Sequence, residues 1–240
     1  MAGEPDHSLK FNGRRVVEEK VPDHLWADHT SRYAFATKYI QGKTVLDIAC
    51  GTGYGSRILK TQGNAQKVIG IDISPEAVAF ARSRYKLDSI EFMIGSITDI
   101  SLQSNCFDVV VSFETIEHVN EQEKALLELI RVLKNGGVLI ISTPNRKLSS
   151  PGKSILAHPD NPFHLIEYTK EEFINFLSSY IKIIEIYGQR RINRLLMLPL
   201  IKQKLRRLLP DLYSARCGDS KIRKMYWFSE YRYTIAVCRK

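Results

Sequence analysis

The clearest chemical signal in the chain is a glycine-rich turn that follows a short apolar run containing an acid. The run from Val45 to Ile48 predicts a buried strand, and Gly51-Thr-Gly53-Tyr-Gly55 predicts a tight turn that opens a helix. Glycine adopts backbone angles that a side chain forbids and lets a ligand approach the backbone closely. Open α/β sheets bind their ligands at the carboxyl ends of strands, where this turn would lie. The pattern therefore predicts a small-molecule site here.

A second acid, Asp72, stands at the end of the next predicted strand, in Gly70-Ile-Asp72. An acid in that position accepts hydrogen bonds from both hydroxyls of a ribose, so the cofactor should contain adenosine. Nicotinamide enzymes place a third glycine or an alanine where this chain has Ser56. The carboxylate of Asp47 also suits the ammonium group of S-adenosylmethionine better than a pyrophosphate. The charges favour a methyl donor; the structural alternative is a plain tight turn between strand and helix.

Four segments in order resemble the successive motifs of class I S-adenosylmethionine-dependent methyltransferases: VLDIACGTGYGS, GIDISPEAV, FDVVVSFETIEHV and RVLKNGGVLIISTPN. The resemblance spans about residues 25–190, and the third segment is also similar to the branch that methylates quinone precursors. It implies an α/β, Rossmann-like fold. The expected sheet is mixed and seven-stranded, in the order 3-2-1-4-5-7-6 with strand seven antiparallel, and helices cover both faces.

The same resemblance implies which residues hold the cofactor. Asp47 and the turn would hold the methionine part, Asp72 the ribose, and Ile73 one side of the adenine. Relatives often carry an aspartate at the position of Ser96, so its hydroxyl or the Ile97 backbone would substitute. Tyr33 lies in an N-terminal helix that caps the cofactor in many relatives. The full expected set is Tyr33, Asp47, Ala49, Gly51, Gly53, Asp72, Ile73, Ser96, Ile97 and Phe113.

Four residues are candidates for removing a proton from the methyl acceptor. Transfer from a sulfonium needs an acceptor held in line, and a base if that acceptor is a hydroxyl. His118 follows the fourth predicted strand and is the first candidate, because histidine titrates near neutral pH. His164 is the second, and Glu114 and Glu117 are alternatives. The structural alternatives are a helix cap, a backbone hydrogen bond or a loop anchor.

The methyl acceptor is predicted from the string Asn161-Pro-Phe-His164-Leu-Ile-Glu167-Tyr-Thr, which is similar to one in methyltransferases encoded with glycan-building enzymes. It indicates O-methylation of a sugar hydroxyl in a glycan or glycolipid precursor. A small phenol or quinone precursor and an amino sugar are alternatives, and a nicotinamide oxidoreductase is the alternative of another class. No metal is expected, since only Asp160-Asn161 offers anything similar to a cluster of acidic metal ligands. No nucleic-acid partner is expected either, because no base-methylation tetrad is present.

The basic residues concentrate at the end of the 240-residue chain, whose net charge is +9. From residue 190 onward there are 14 of the 35 Lys and Arg but 3 of the 26 Asp and Glu. We expect one methyltransferase domain over residues 1–240, with a helical cap (1–42), an acceptor-side loop or lid (145–168) and an irregular basic insertion (190–229). Residues 190–224 would contact an anionic membrane, a phosphate-bearing acceptor or a second copy of the chain.

Short β-branched runs alternate with amphipathic segments, which is typical of a parallel sheet. The predicted strands are 44–48, 68–72, 90–94, 107–113, 138–143, 181–187 and 231–238. Helices are predicted over 25–40, after Ser74, from an Asn120 cap to Leu133, and after a capping box that begins at Thr169.

Neither a leader peptide nor an apolar run of about 20 residues is present, so we expect a cytoplasmic protein, peripheral to the membrane if the basic segment binds lipid. The four cysteines are scattered, which favours reduced thiols.

Overall fold

The structure is a computed structural model that describes residues 21–192, 219–225 and 230–240. The first half of the predicted cap (1–20) and most of the predicted basic insertion (193–218 and 226–229) lie outside the described residues. Within the described part, no helix is long and apolar enough to cross a membrane.

Within the described residues, eight strands form one sheet, in which the first five run parallel. The strands are β1 (Thr44–Ile48), β2 (Lys67–Asp72), β3 (Ile90–Ile94), β4 (Phe107–Phe113), β5 (Leu133–Pro144), β6 (Lys182–Ile192), β7 (Ile222–Lys224) and β8 (Glu230–Arg239). Their order is β3-β2-β1-β4-β5-β8-β6-β7, with β8 antiparallel to both β5 and β6. The predicted order is confirmed, with β8 as the predicted seventh strand.

The strand count of seven was wrong, because β7 adds an eighth strand antiparallel to β6. It lies inside residues 190–229, which the sequence analysis described as irregular. In the same stretch, Arg190 and Arg191 prolong β6 rather than begin an insertion. A three-residue strand of mixed polarity is too short to show an alternating pattern.

The part of the chain that the structure describes has six α-helices, which lie on the two faces of the sheet: α1 (Asp23–Ala36), α2 (Tyr54–Thr61), α3 (Pro75–Arg84), α4 (Gln122–Val132), α5 (Arg146–Ser149) and α6 (Lys170–Ser178). Alternate residues of a strand point to opposite faces, and two core clusters follow that rule. Val109 and Val111 of β4 pack in one cluster with α1 and α2, whereas Val110 packs in the other with α4 and α6. Helices therefore cover both faces, as predicted.

The helix ends agree with the predictions at α3 and α6. The first helix, predicted over 25–40, ends at Ala36 and is followed by a 3₁₀ turn over Thr37–Tyr39. Ser74 caps α3 through the Ala77 amide, and Thr169 and Glu172 form the predicted capping box of α6. The Asn120 cap was wrong, since α4 begins at Gln122 without a side-chain cap. The helix also passes directly into β5 at Leu133, whose pairing with β4 shifts register before resuming at Val138.

Strands β1 and β4 are not consecutive in the chain but lie side by side in the sheet, and the chain leaves them in opposite directions, toward β2 and toward β5. Such a reversal of strand order opens a crevice at the carboxyl ends of the two strands. The turn after β1 and the turn after β4 therefore face a shared space.

Gly55, in the first turn of α2, lets α1 approach this crevice closely. A Cβ atom placed on Gly55 would lie 2.0–2.4 Å from the ring of Tyr33 in α1. The Tyr33 ring in turn packs edge-on against Phe113 at the end of β4, with ring centroids 5.2 Å apart. Because Gly55 has no side chain, the Tyr33 ring can pack against α2, and this contact sets the position of α1 over the crevice.

We expect Gly55→Ala to lower the free energy of unfolding by about 1–3 kcal/mol, because the added methyl group overpacks the Tyr33 ring. Alanine favours helices over glycine, so backbone propensity alone predicts the opposite sign. Urea denaturation measures the change, with Gln62→Ala at the exposed end of α2 as the control. Equal or greater stability of Gly55→Ala would contradict the packing described.

Candidate functional site

A cavity of about 790 Å³ lies at the carboxyl ends of β1, β2 and β4. Its volume is within the range of small-molecule sites, which is about 300–1,000 Å³. The wall takes residues from α1, from the turns after β1, β2, β3 and β4, from the loop after β5, and from β8. The crevice expected from the strand order is therefore present and enclosed on several sides.

The glycine-rich turn is joined to β2 by the carboxylate of Asp72. One oxygen of Asp72 accepts a hydrogen bond from the Gly51 amide (2.8 Å), and the other accepts one from the Ser74 amide (2.9 Å). Gly51 has a φ of +55°, and a Cβ built on it would meet no atom within 4 Å. Both residues line the cavity. A ligand can therefore lie against the exposed backbone of this turn. Beside it, the Asp72 carboxylate can accept further hydrogen bonds.

Asp47 lies behind the cavity wall rather than in it. Its side chain is fully buried, and its two oxygens accept hydrogen bonds from the Tyr33 hydroxyl (3.0 Å) and the Ser56 hydroxyl (2.6 Å). Burial raises the pKa of Asp47 to about 7, although the bonds from Ser56 and Tyr33 act in the opposite direction. The carboxylate is therefore held between α1 and α2, and its predicted contact with an ammonium group stays a prediction.

Two residues other than glycine at the mouth of the crevice adopt left-handed backbone conformations. Ala49 after β1 has a φ of +58°, and Glu114 after β4 has a φ of +50°. Both line the cavity. Such conformations cost about 1–3 kcal/mol each and are concentrated at functional sites. The Glu114 carboxylate accepts a hydrogen bond from the Ser142 hydroxyl (2.6 Å), which ties this turn to β5.

The wall beyond Asp72 is apolar on one side and polar on the other. Ile73 is 73% exposed, which is unusual for an isoleucine beside a buried acid. Ser96 and Ile97 follow β3, and the Ser96 hydroxyl lies 2.8 Å from the Thr98 hydroxyl. All of them line the cavity. A flat apolar group with polar edges would fit between them.

His118 lies on the opposite part of the wall, at the end of a short 3₁₀ turn after β4. Its Nδ1 lies 2.7 Å from the carbonyl oxygen of Phe163. A carbonyl only accepts, so Nδ1 carries the hydrogen. In the neutral ring, Nε2 is then the basic nitrogen.

His164 is buried and bonded at both ring nitrogens. Nδ1 donates to a Glu167 oxygen (2.5 Å), and Nε2 accepts from the Asn161 amide (2.8 Å). Glu167 also accepts hydrogen bonds from the hydroxyls of Ser149 and Ser150. Burial acts to raise the pKa of Glu167, but the bonds from His164 and the two serines hold it below its ordinary value. His164 is therefore a well-anchored ring, packed edge-on against His118 with centroids 4.8 Å apart.

Glu117 completes what we call the histidine–carboxylate cluster, consisting of Glu117, His118 and His164. One carboxylate oxygen of Glu117 accepts a hydrogen bond from the Thr143 hydroxyl (3.1 Å). The other is buried without a hydrogen-bond partner among the described residues. Burial, and next the charge of Glu114, raise the pKa of Glu117 well above its ordinary value. The cluster lines the cavity.

The structure brings most of the predicted site residues to one cavity. Neither Asp47 nor Gly53 belongs to its wall. The other twelve residues do: Tyr33, Ala49, Gly51, Asp72, Ile73, Ser96, Ile97, Phe113, Glu114, Glu117, His118 and His164. What each of them binds stays a prediction.

Sequence reasoning missed several wall residues. Glu167 could have been found from its spacing of three residues after His164. Arg232 and Tyr233 come from β8, where nothing in the local pattern indicated a site. Arg190, the first residue of the predicted basic segment, forms a buried ion pair with Asp28 of α1. It is therefore not part of an exposed surface.

Comparison with known proteins identifies what this architecture is similar to. The family described as "Methyltransferase domain" matches residues 40–196. A "probable S-adenosylmethionine-dependent methyltransferase" of Mycolicibacterium smegmatis is 34% identical over 182 residues, which cover 74% of this chain and 68% of that protein. A protein of the same description in Mycobacterium tuberculosis is 34% identical over 170 residues, covering 70% of this chain and 60% of its own length. The matched region thus spans about three fifths to two thirds of the length of these relatives.

Solved structures share the fold at low sequence identity. An S-adenosylmethionine-dependent methyltransferase from Mesorhizobium loti superposes with a TM-score of 0.61 at 16% identity, covering 89% of this chain and all of that one. These comparisons favour a methyltransferase over the alternative of a nicotinamide oxidoreductase.

We expect the free energy of unfolding to depend on pH because the pKa of the buried Asp47 carboxyl is raised. Its pKa is about 7 in the folded chain and about 4 when unfolded, so between these values the folded state binds more protons. This contribution to stability is fully present below about pH 4 and is lost as the pH rises through 7. Relative to Asp47→Asn, the wild type should therefore lose stability from pH 5 to pH 8, by roughly 1.4 kcal/mol per pKa unit.

Urea denaturation at the two pH values measures this difference, and the exposed Asp88→Asn serves as the matched control. Parallel pH curves for wild type and Asp47→Asn would show that the carboxyl titrates normally.

Proposed function

Because the chain belongs to the class I S-adenosylmethionine-dependent methyltransferases, we propose that it methylates a hydroxyl of a small polar acceptor, a sugar in a glycan or glycolipid precursor. The observation that carries the proposal is the histidine–carboxylate cluster on the cavity wall, which can receive a hydroxyl proton. The neighbouring wall has the features that a nucleoside cofactor requires. One cavity therefore has room for both reactants.

The residues after β1, β2 and β3 fit S-adenosylmethionine. Asp72 has acceptor capacity for ribose hydroxyls, and the exposed Ile73 offers an apolar surface to an adenine ring. Ser96 and Ile97 can bound the far edge of that ring. Open space at Gly51 allows the methionine part to lie against the backbone of the turn.

Asp47 would support this end of the cofactor without touching it. Its hydrogen bonds hold Tyr33 of α1 and Ser56 of α2 in place, and Tyr33 lies in the cavity wall. We therefore assign Asp47 as a positioning residue.

When bound, S-adenosylmethionine supplies a methyl carbon whose bond to the charged sulfur breaks as the bond to the acceptor's oxygen forms, and the sulfur keeps the electron pair. This chain's residues hold the acceptor in line and remove its proton at the cluster. Glu114 and Tyr233 lie on the same wall and can hydrogen-bond further hydroxyls of a sugar. Dense polar groups of this kind favour a sugar over a purely apolar acceptor.

Screening with labelled S-adenosylmethionine against sugar nucleotides, glycan fragments and phenols tests the acceptor class. Methylation of a sugar hydroxyl is the expected result. Methylation confined to phenols or amines would replace the proposal with one of those acceptors.

Replacing Asp72 with alanine should weaken binding of S-adenosylhomocysteine about ten- to a hundredfold. The reason is the loss of charge-assisted hydrogen bonds worth about 1.5–3 kcal/mol. Calorimetry measures the affinity, with the exposed Asp88→Ala as the control. Undiminished affinity in Asp72→Ala, or tight NADH binding by the wild type, would refute the assigned cofactor position.

His118→Ala should lower kcat by roughly 10²–10⁴ and leave cofactor affinity nearly intact, because the cluster acts on the acceptor alone. The matched control is His158→Ala. His158 lies in the same loop as His164, and its ring is hydrogen-bonded to the backbone carbonyl of Pro159. Near-wild-type turnover in His118→Ala would remove the cluster from the reaction.

A further inference from the structure

The three members of the histidine–carboxylate cluster come from two separate segments. Glu117 and His118 follow β4, and His164 lies in the loop after β5. Each offers one potential ligand atom, and the three atoms lie within 4.8 Å of one another. Two imidazoles and one carboxylate are the donor set of many transition-metal sites.

The buried oxygen of Glu117 is an independent sign that something is bound there. Glu117 has no exposed surface, and this oxygen has no hydrogen-bond partner among the described residues. Nearly all buried polar atoms in proteins are hydrogen-bonded, because an unpaired one costs free energy. A bound cation would supply the missing partner.

The outer contacts of the two histidines are those that orient metal ligands. His118 donates from Nδ1 to the Phe163 carbonyl, and His164 donates from Nδ1 to Glu167. Glu167 is itself fixed by two serine hydroxyls. A backbone carbonyl or carboxylate on the second nitrogen is the usual partner of a metal-binding histidine. In both rings this arrangement makes Nε2 the lone-pair nitrogen.

We propose that Glu117, His118 and His164 bind a divalent transition-metal ion of the Zn²⁺, Mn²⁺ or Co²⁺ class. Three protein ligands leave one coordination position of the ion open toward the cavity, where the hydroxyl oxygen of the acceptor binds. Bound to the ion, this hydroxyl becomes more acidic and loses its proton to water. Mg²⁺ and Ca²⁺ are excluded as the preferred ions because they favour oxygen ligands throughout. This inference rests on the proposed function and deepens it: with the ion bound, the cluster activates the acceptor through the metal, which replaces direct proton removal by a histidine ring. It also opposes the expectation from sequence that no metal is used.

Loading the ion requires two local movements. Metal–ligand bonds of about 2.0–2.2 Å need ligand atoms no more than about 4 Å apart, so the side chains must draw slightly closer. The Asn161 amide, now 2.8 Å from Nε2 of His164, must also move aside. Asn161 is therefore a competitor for the metal at that nitrogen.

The experiment titrates the chelator-treated full chain with Co²⁺ alone and follows its visible absorption, with Zn²⁺ competition by equilibrium dialysis. The wild type should bind one equivalent, and His118→Ala, His164→Ala and Glu117→Gln should each weaken Co²⁺ binding by more than about tenfold. Asn161→Ala should bind more tightly than the wild type, which a purely structural cluster does not predict. His158→Ala is the control and should bind as the wild type does.

S-adenosylhomocysteine affinity reports whether each variant is folded, because its binding residues are separate from the cluster. Absence of Co²⁺ and Zn²⁺ binding by the wild type, or equal binding by all folded variants, would overturn the metal site. Methyl transfer that persists in chelator would likewise overturn its catalytic role and leave the proposed function standing. Metal bound as expected, with no hydroxyl compound methylated, would instead count against the proposed function alone.

Discussion

The buried carboxyl of Asp47 is the contact on which the first half of the cavity depends. It stands near the end of a central strand, and its two oxygens hold a hydroxyl from α1 and a hydroxyl from α2. Through Tyr33 it sets the position of α1 over the crevice, and through Ser56 it fixes the helix that follows the glycine turn. A carboxyl kept out of water at this point needs both partners, since an unpaired buried acid is costly.

The second half of the cavity depends on the loop after β5. The amides of Leu165 and Ile166 both donate to the carbonyl oxygen of Glu117, so the loop is bonded to the turn after β4. The Phe163 carbonyl adds the hydrogen bond to the His118 ring. Two histidines 46 positions apart in sequence are thereby placed ring against ring. The proline-rich part of the loop is thus anchored at the end that faces the site.

Most of the sheet was predictable because its strands are buried on both faces and bounded by clear turn residues. The site was predictable where a residue type is tied to a backbone position, as for Gly51 and Asp72. The hydrogen-bond partners of Asp47 were not predictable, because sequence spacing places a side chain near a turn without saying which way it points. Tyr233 was missed for a related reason: its position depends on the long-range packing of β8 beside β5. The strand β7 is too short for any pattern.

That outermost strand also bears on how the molecule behaves beside other copies of itself. An edge strand presents unpaired amides and carbonyls that can join a second sheet, and short length and positive charge both discourage this. Of the three residues of β7, Arg223 and Lys224 are basic, and Lys221 precedes them. Arg223 and Lys224 pair with Asp219 and Glu185 and remain partly exposed. Two sheets meeting along this edge would bring like charges together, which protects the described end of the sheet from β-type aggregation.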